Sequence, residues 1–309
     1  MFCAFVLTPL SLFRQVIFLS QCCFLLDFFL VSTYCLFVFE LGGFFLMRHF
    51  GLKLWSKDFI KNKNFVISAE KALKDGMFDY LELFALPDTF DETYLDVKQR
   101  FNGVKTVIHA PHAIQLLDIS NPEEFENNRH RLKSSQQFAD LLDAPFIILH
   151  PGMQRGEKFL QESIRQFKAF NDTRLTVENL PGYCSQTKRD LHGITPDEIK
   201  RFIGETNAHF CLDFSHAICG ANTYKRDIYE VLQEFTELNP DMYHLCDGDV
   251  LSTNDSHLHY GDGNYDLKRL VLKYTSPDAY ITMETGHGIP TDVQPWLNDI
   301  MYLKKLISD

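Results

Sequence analysis

From Met47 onward, short apolar runs alternate with longer stretches whose apolar residues recur every three to four positions. The short runs are Leu52–Ser56, Tyr80–Phe84, Lys105–His109, Phe146–His150, Leu175–Glu178, His209–Asp213, Tyr243–Cys246 and Tyr280–Glu284. They are rich in β-branched, aromatic and Leu residues, and near-continuous apolar runs of this length suit parallel strands covered on both faces. The segments between them read as helices at Lys57–Lys74, Glu92–Phe101, Pro122–Leu142, Gly156–Phe170, Pro196 to about Ile203, Arg226–Thr236, Leu267–Tyr274 and Asp292–Ile307. Two carry explicit start signals. Asn121 precedes Pro122 and two acids, and Thr195 precedes Pro196, Asp197 and Glu198, which place an N-cap, a first-turn proline and negative charge at the positive end of a helix. Strand-then-helix units repeated along residues 47–309 predict an α/β fold, a (β/α)8 barrel. An open doubly wound sheet is the alternative, and the first strand is followed by no glycine-rich dinucleotide fingerprint.

The apolar content is uneven. Residues 1–46 carry only Arg14, Asp27 and Glu40 as charges. The run Gln15–Phe39 is long enough to cross a bilayer, but Asp27 near its middle is costly there. No positive charge precedes Arg14, which fits a secretory signal poorly. This leader reads as an upstream extension ahead of a start at Met47, as a membrane anchor, or as a buried hairpin, with residues 47–309 as the catalytic domain. Membrane contact is expected only if residues 1–46 are retained. Cys3, Cys22, Cys23 and Cys35 lie in the leader and Cys184, Cys211, Cys219 and Cys246 beyond it, with no C-x-x-C pair in the second group. That pattern suggests reduced thiols in a cytoplasmic protein rather than a disulfide framework. The formal net charge is −11, which argues against indiscriminate nucleic-acid binding by the whole surface but leaves room for cations among clustered carboxylates.

Active sites of parallel barrels lie at the C-terminal ends of the strands. Here those ends read IHAPH, ILHPG, TVENLPG, CLDFSHA, YHLCDGD and ITMETG, and the loop after the seventh strand contains DSHLHYGDG, residues 255–263. They deliver His109, His150, Glu178, Asp213, His216, His244, Asp255, His257 and Glu284 to one rim. Carboxylates and imidazoles buried together are costly unless compensated, and metal ions are the usual compensation. A mixture of His with Asp and Glu suits Zn²⁺, with Mn²⁺ possible, over softer metals.

In this order the motifs H-A-P, L-H-P-G, V-E-N, D-x-x-H, Y-H-L-x-D, D-x-H-x-x-x-G-x-G and E-T resemble endonuclease IV, the apurinic/apyrimidinic endonuclease family within the xylose isomerase-like TIM barrel superfamily. The resemblance covers about residues 50–309. It implies three metal ions, usually zinc. His109, His150 and Glu178 would hold the first. Glu178 would bridge to a second, shared with Asp213, His244 and Glu284, and His216, Asp255 and His257 would take the third. Glu178 and Glu284 would be catalytic, with Glu284 orienting or deprotonating the attacking water. The implied reaction is hydrolysis of abasic duplex DNA 5′ to the lesion in base excision repair.

The chain departs from that family at the rim. The loop after the second strand, ALPDTFDETY, is acidic, and His112 stands where the family places a Tyr, so the elements that would push a nucleotide out of the duplex are absent or changed. Basic residues occur in other loops instead: Arg155 with Lys158, Lys188 with Arg189, and Lys225 with Arg226. With His112, these are candidate substrate contacts, although isolated surface charges of this kind are often only solvated. The competing reading is a sugar or sugar-phosphate isomerase/epimerase of the same superfamily, which needs one metal on Glu178, Asp213, His244 and Glu284 and moves a proton beside a carbonyl. His109, His150, Asp255 and His257 separate the two, because a one-metal enzyme does not need them. A noncatalytic sugar- or metal-binding barrel is the third class. No protein partner is evident in the sequence.

Overall fold

The computed structural model describes residues 48–184, 186–286 and 291–308. The apolar leader, with its three readings, lies outside the described residues. Among the described residues no helix is long and apolar enough to cross a membrane.

Eight parallel strands close into a barrel: β1 (His49–Trp55), β2 (Tyr80–Phe84), β3 (Thr106–His109), β4 (Ile147–Leu149), β5 (Leu175–Glu178), β6 (His209–Asp213), β7 (Met242–Leu245) and β8 (Tyr280–Met283). Each pairs with its sequence neighbours, and β8 pairs with β1 to complete the ring. The helices are α1 (Asp58–Lys61), α2 (Lys63–Lys74), α3 (Phe90–Phe101), α4 (Phe125–Leu142), α5 (Glu157–Phe170), α6 (Pro196–Thr206), α7 (Phe214–Tyr224), α8 (Ile228–Thr236), α9 (Leu267–Tyr274) and α10 (Gln294–Ser308).

Strand side chains alternate between faces, and the alternation sorts the chemistry. Phe50, Leu52, Leu54, Leu81, Leu83, Ile108, Ile147, Leu149, Leu175, Val177, Phe210, Leu212, Tyr243, Leu245, Ile281 and Met283 belong to one large apolar core with the helices. The other parity faces the barrel interior. Its lower part is a small separate cluster of Tyr80, Val107, Ile148, Cys211 and Met242. Gly51 belongs to that parity, and the Tyr80 ring occupies the space where its side chain would be: a Cβ there would lie 2.3 Å from Tyr80 Cζ. Above this apolar floor, the same parity brings His109, His150, Glu178, Asp213, His244 and Glu284 to the C-terminal mouth.

All eight predicted strands are present, most within two residues of their expected ends. The helices differ in informative ways. The first expected helix is broken at Asn62 (φ −130°, ψ 49°), whose side chain donates to Asp58 Oδ1 at 2.7 Å. The start signal at Thr195 is a full capping box with Glu198. Helix α7 has no counterpart in the periodicity because its residues from Phe214 to Ala221 are all buried; a helix apolar on every side shows no amphipathic stripe. A two-stranded hairpin, Tyr183–Cys184 against Arg189–Asp190, is too short for a pattern to show.

Candidate metal centre

The nine ligand-type side chains converge into overlapping groups at the barrel mouth. His109, His150 and Glu178 form one. Glu178, Asp213, His244 and Glu284 form a second. His216, Asp255 and His257 form a third. Within each, one nitrogen or oxygen per residue lies within 4.8 Å of the others. Glu178 is the hub. Its Oε2 is 3.3 Å from His109 Nε2 and 3.1 Å from His150 Nε2. Its Oε1 is 3.1 Å from His244 Nδ1 and 3.3 Å from His216 Nδ1. His244 Nδ1 is also 3.3 Å from Glu284 Oε1, and His216 Nε2 is 3.3 Å from Asp255 Oδ2.

Local structure holds these groups. Asn179 ties β5 to β6, and the first turn of α7 sets the D-x-x-H pair: Asp213 is its N-cap, with Oδ1 accepting from the His216 amide at 2.6 Å. Asp255 and His257 come from the loop after β7, which an antiparallel bridge between Asp247 and Leu258 closes on itself. The Asp247 carboxylate accepts from the amides of Gly248, Gly261 and Tyr265 at 2.8, 2.9 and 3.1 Å. Gly263 is required here, because a Cβ would lie 2.4 Å from both Asp247 Oδ1 and the Gly248 carbonyl. His257 adopts φ 43°, uncommon for a side chain of this size.

Three histidines are oriented by backbone. His109 Nδ1 bonds the Ala110 carbonyl at 2.7 Å, His216 Nδ1 the Asn179 carbonyl at 2.8 Å and His257 Nδ1 the Glu284 carbonyl at 2.7 Å. As donors in these bonds the Nδ1 atoms leave Nε2 as the lone-pair nitrogen, the second interaction metal-binding histidines typically need. His244 is oriented the other way, with Nε2 2.9 Å from Glu82 Oε2.

The electrostatics are those of ligands that share protons. Burial opposes ionisation of Glu178, but His244, His150 and His109 outweigh it and hold the carboxyl well below its usual range. Against burial, Asp255 is likewise held low by His257 and His216. Burial also works against Glu284, which His244 and Lys53 nevertheless hold at about 2. Asp213 moves the opposite way, to about 7, through burial and the charges of Asp255, Glu178 and Glu284. Burial would lower His257, but Asp255 overcomes it and lifts the imidazole to about 9. His112 and His150 are lowered, chiefly by burial.

The residues fit divalent metal. Two ligand atoms about 2.0–2.1 Å from one tetrahedral ion lie roughly 3.3 Å from each other, which is the spacing around Glu178. Asp213 Oδ2 is buried without a hydrogen-bond partner among the described residues, a costly state for a carboxylate oxygen unless a cation receives it.

Above the cluster is a cavity of about 500 Å³. His112 lines it and lies parallel to His150, ring centroids 5.1 Å apart. The basic loop residues lie elsewhere. Arg155 covers the Tyr224 ring at 4.9 Å, Lys158 the Phe159 ring at 4.5 Å, and Lys225 caps α7 at φ 56°. Arg226 forks onto Glu234. Lys188 and Arg189 are exposed on the short hairpin, and Arg189 Nη1 is 3.9 Å from Asp118 Oδ2. Among the described residues, the lysines that line the cavity are Lys53, within β1, and Lys57, just past its end. Lys53, and Glu82 beside it, escaped sequence reasoning; the signal was there in strand parity, since both occupy inward positions and are direct register partners.

Comparison with known proteins identifies the family. The model of the xylose isomerase-like TIM barrel family matches residues 69–306. The probable endonuclease 4 of Staphylococcus saprophyticus is 26% identical over 222 residues, covering 64% of this chain and 73% of that protein. Endonuclease 4 of Thermus thermophilus is 24% identical over 225 residues, covering 67% and 81%. Among solved structures, a D-tagatose 3-epimerase-like protein superposes with a TM-score of 0.64 at 18% identity, covering 84% of this chain and 97% of that one. The crystal structure of endonuclease IV from Thermus thermophilus gives 0.57 at 20%, with the same coverage. With a family model matched over most of its length and the ligand-type residues gathered at the mouth of a closed parallel barrel, this chain belongs to the xylose isomerase-like TIM barrel family.

Proposed function

We propose that the chain is a metal-dependent phosphodiesterase of the endonuclease IV type, hydrolysing duplex DNA 5′ to abasic sites at a trinuclear centre, with zinc as the preferred ion and manganese as a substitute. The observation that carries this reading is the pair of His-rich groups flanking the central one: His109 with His150, and His216 with Asp255 and His257. A one-metal enzyme has no need of either.

His109, His150 and Glu178 would hold one ion, Glu178, Asp213, His244 and Glu284 a second, and His216, Asp255 and His257 a third. When bound, such ions supply Lewis acidity and bring water near neutrality in pKa. Glu178, central to the cluster, would contribute to holding both of the first two ions. Glu284 would orient the attacking water or accept its proton. Asp255 and His257, with His216, would hold the third ion, whose positive charge would offset negative charge developing on the leaving 3′-oxygen. His112 and Lys57 on the cavity wall are the side chains closest in kind to the role of gripping a flipped-out sugar-phosphate. The basic loop residues Arg155, Lys188, Arg189, Lys225 and Arg226 would contribute at most through flanking phosphates.

The test is incision of a duplex carrying one tetrahydrofuran abasic analogue, with zinc or manganese supplied. A single nick leaving a 3′-hydroxyl is expected. No incision under either metal would reject the proposal.

One observation favours a second reading. Glu178, Asp213, His244 and Glu284 alone make a complete four-ligand site, and a cavity of about 500 Å³ is of small-molecule size. A sugar or sugar-phosphate epimerase would bind one ion there, with Glu178 and Glu284 passing a proton across the substrate. Epimerisation of ketoses by a preparation that binds one ion per chain would establish it.

A further inference from the structure

Glu82 is fully buried on the inner face of β2, beneath the ligand cluster. Nothing in the proposed chemistry uses it. A carboxylate in such a place must be compensated, and its partners are specific. Oε2 is 2.9 Å from His244 Nε2 and accepts from Thr282 Oγ1 at 2.6 Å. Oε1 is 2.9 Å from Lys53 Nζ. Thr282 is itself held by Tyr80, hydroxyl to hydroxyl at 2.7 Å. Lys53 continues to Glu284, which it contacts directly.

The arrangement has a direction. His244 meets the cluster through Nδ1, 3.1 Å from Glu178 Oε1 and 3.3 Å from Glu284 Oε1, and Glu82 is what its other nitrogen meets. Thr282 fixes the rotation of the Glu82 carboxylate, and the Tyr80 floor fixes Thr282. Lys53 bridges Glu82 to Glu284, so two ligands of the central group are anchored to one network.

We propose that Glu82 is a positioning residue for the central metal: it holds His244 with Nδ1 toward the ion and raises that nitrogen's donor strength, while Lys53 neutralises Glu82 and aligns Glu284. This rests on the reading that Glu178, Asp213, His244 and Glu284 bind metal. A carboxylate behind a ligating imidazole typically affects metal affinity by about 10- to 100-fold.

The experiment is chelator competition for zinc on the full chain, run beside thermal unfolding of the metal-free protein. Glu82→Gln keeps the shape and removes the charge. Thr282→Val keeps Glu82 and removes its anchor. Expected is a loss of affinity for one ion of about 10-fold or more in Glu82→Gln and a smaller loss in Thr282→Val, alongside whatever fall in metal-free melting temperature the orphaned partners cause. A lower metal-free melting temperature with wild-type affinity in both variants would make Glu82 a merely structural residue and overturn the proposal. If wild type binds one ion instead of three, the trinuclear reading falls, yet the affinity comparison still decides the role of Glu82, because His244 belongs to the remaining site. Uptake of no zinc by wild type overturns both.

Discussion

Asn179 clamps the end of β5 to the end of β6: its Oδ1 accepts from the Asp213 amide at 2.7 Å, and its Nδ2 donates to the Asp213 carbonyl at 2.9 Å. Both bonds are buried, so the residue after Glu178 sets where Asp213 stands. Asn179→Ala leaves a donor and an acceptor without partners, at about 1–3 kcal/mol each. Denaturant unfolding should show a loss of that order. Asn179→Asp keeps the bond from the Asp213 amide but sets an acceptor oxygen and a buried negative charge against the Asp213 carbonyl, and should lose at least as much.

The third ligand group makes a separable prediction. His257→Ala removes a ligand from the group of His216, Asp255 and His257 without touching Glu178. Elemental analysis should then find one zinc fewer per chain than in wild type, and incision of abasic duplex should fall by at least an order of magnitude. Unchanged metal content with full activity would show that Asp255 and His257 serve something else.

Gly263 should tolerate no side chain. Gly263→Ala forces a methyl against the Asp247 carboxylate and the Gly248 backbone, and overpacking of this kind costs about 1–3 kcal/mol. The loop carrying Asp255 and His257 would shift with it, so zinc affinity at the third group should drop together with stability. Gly261→Ala, where the nearest atom is 3.2 Å away on the Tyr302 ring but φ is +92°, should lose stability through backbone strain instead.

The pH dependence of the metal-free protein follows from the raised and lowered groups. His257 titrates at about 9 in the folded chain against 6.5 ordinarily. Its contribution is therefore fully present below about pH 6.5 and is lost as pH climbs through 9. His216 and His244, also raised by neighbouring groups against burial, act in the same sense. Asp213, at about 7 against 3.8, weakens the fold progressively between those values. Glu178 and Asp255, held low, stabilise above about pH 4 and cease to do so on acidification. Melting temperature without metal should thus decline from slightly acidic pH toward pH 9. Saturating zinc should abolish the alkaline decline, and a curve that rises with pH without metal would contradict the charge arrangement.

Much of this was legible in the sequence because parallel strands advertise themselves. Uninterrupted apolar runs ending in His, Glu or Asp located the barrel and the side of it that carries chemistry. The D-x-x-H spacing, one helical turn, carried the Asp213–His216 pair even though α7 itself was invisible, its buried residues erasing the polar stripe. Glu82 and Lys53 were missed for a different reason. They sit mid-strand, where a charge interrupts an apolar run and reads as an exposed face, and only the register between β1 and β2 shows that they neutralise one another inside the barrel. The basic loops mark the limit of such reading: proximity in sequence to strand ends does not say where a long side chain turns, and Arg226 turns to Glu234.

The Tyr80 ring, lodged where Gly51 leaves space, stoppers the barrel from below. Among the described residues, the ligand-type cluster then opens upward, into the cavity lined by Trp55, Lys57 and His112. A molecule seated in that cavity would stand between solvent and the ligand-type groups, so on the proposed reading a lingering product should slow the removal of metal by a chelator.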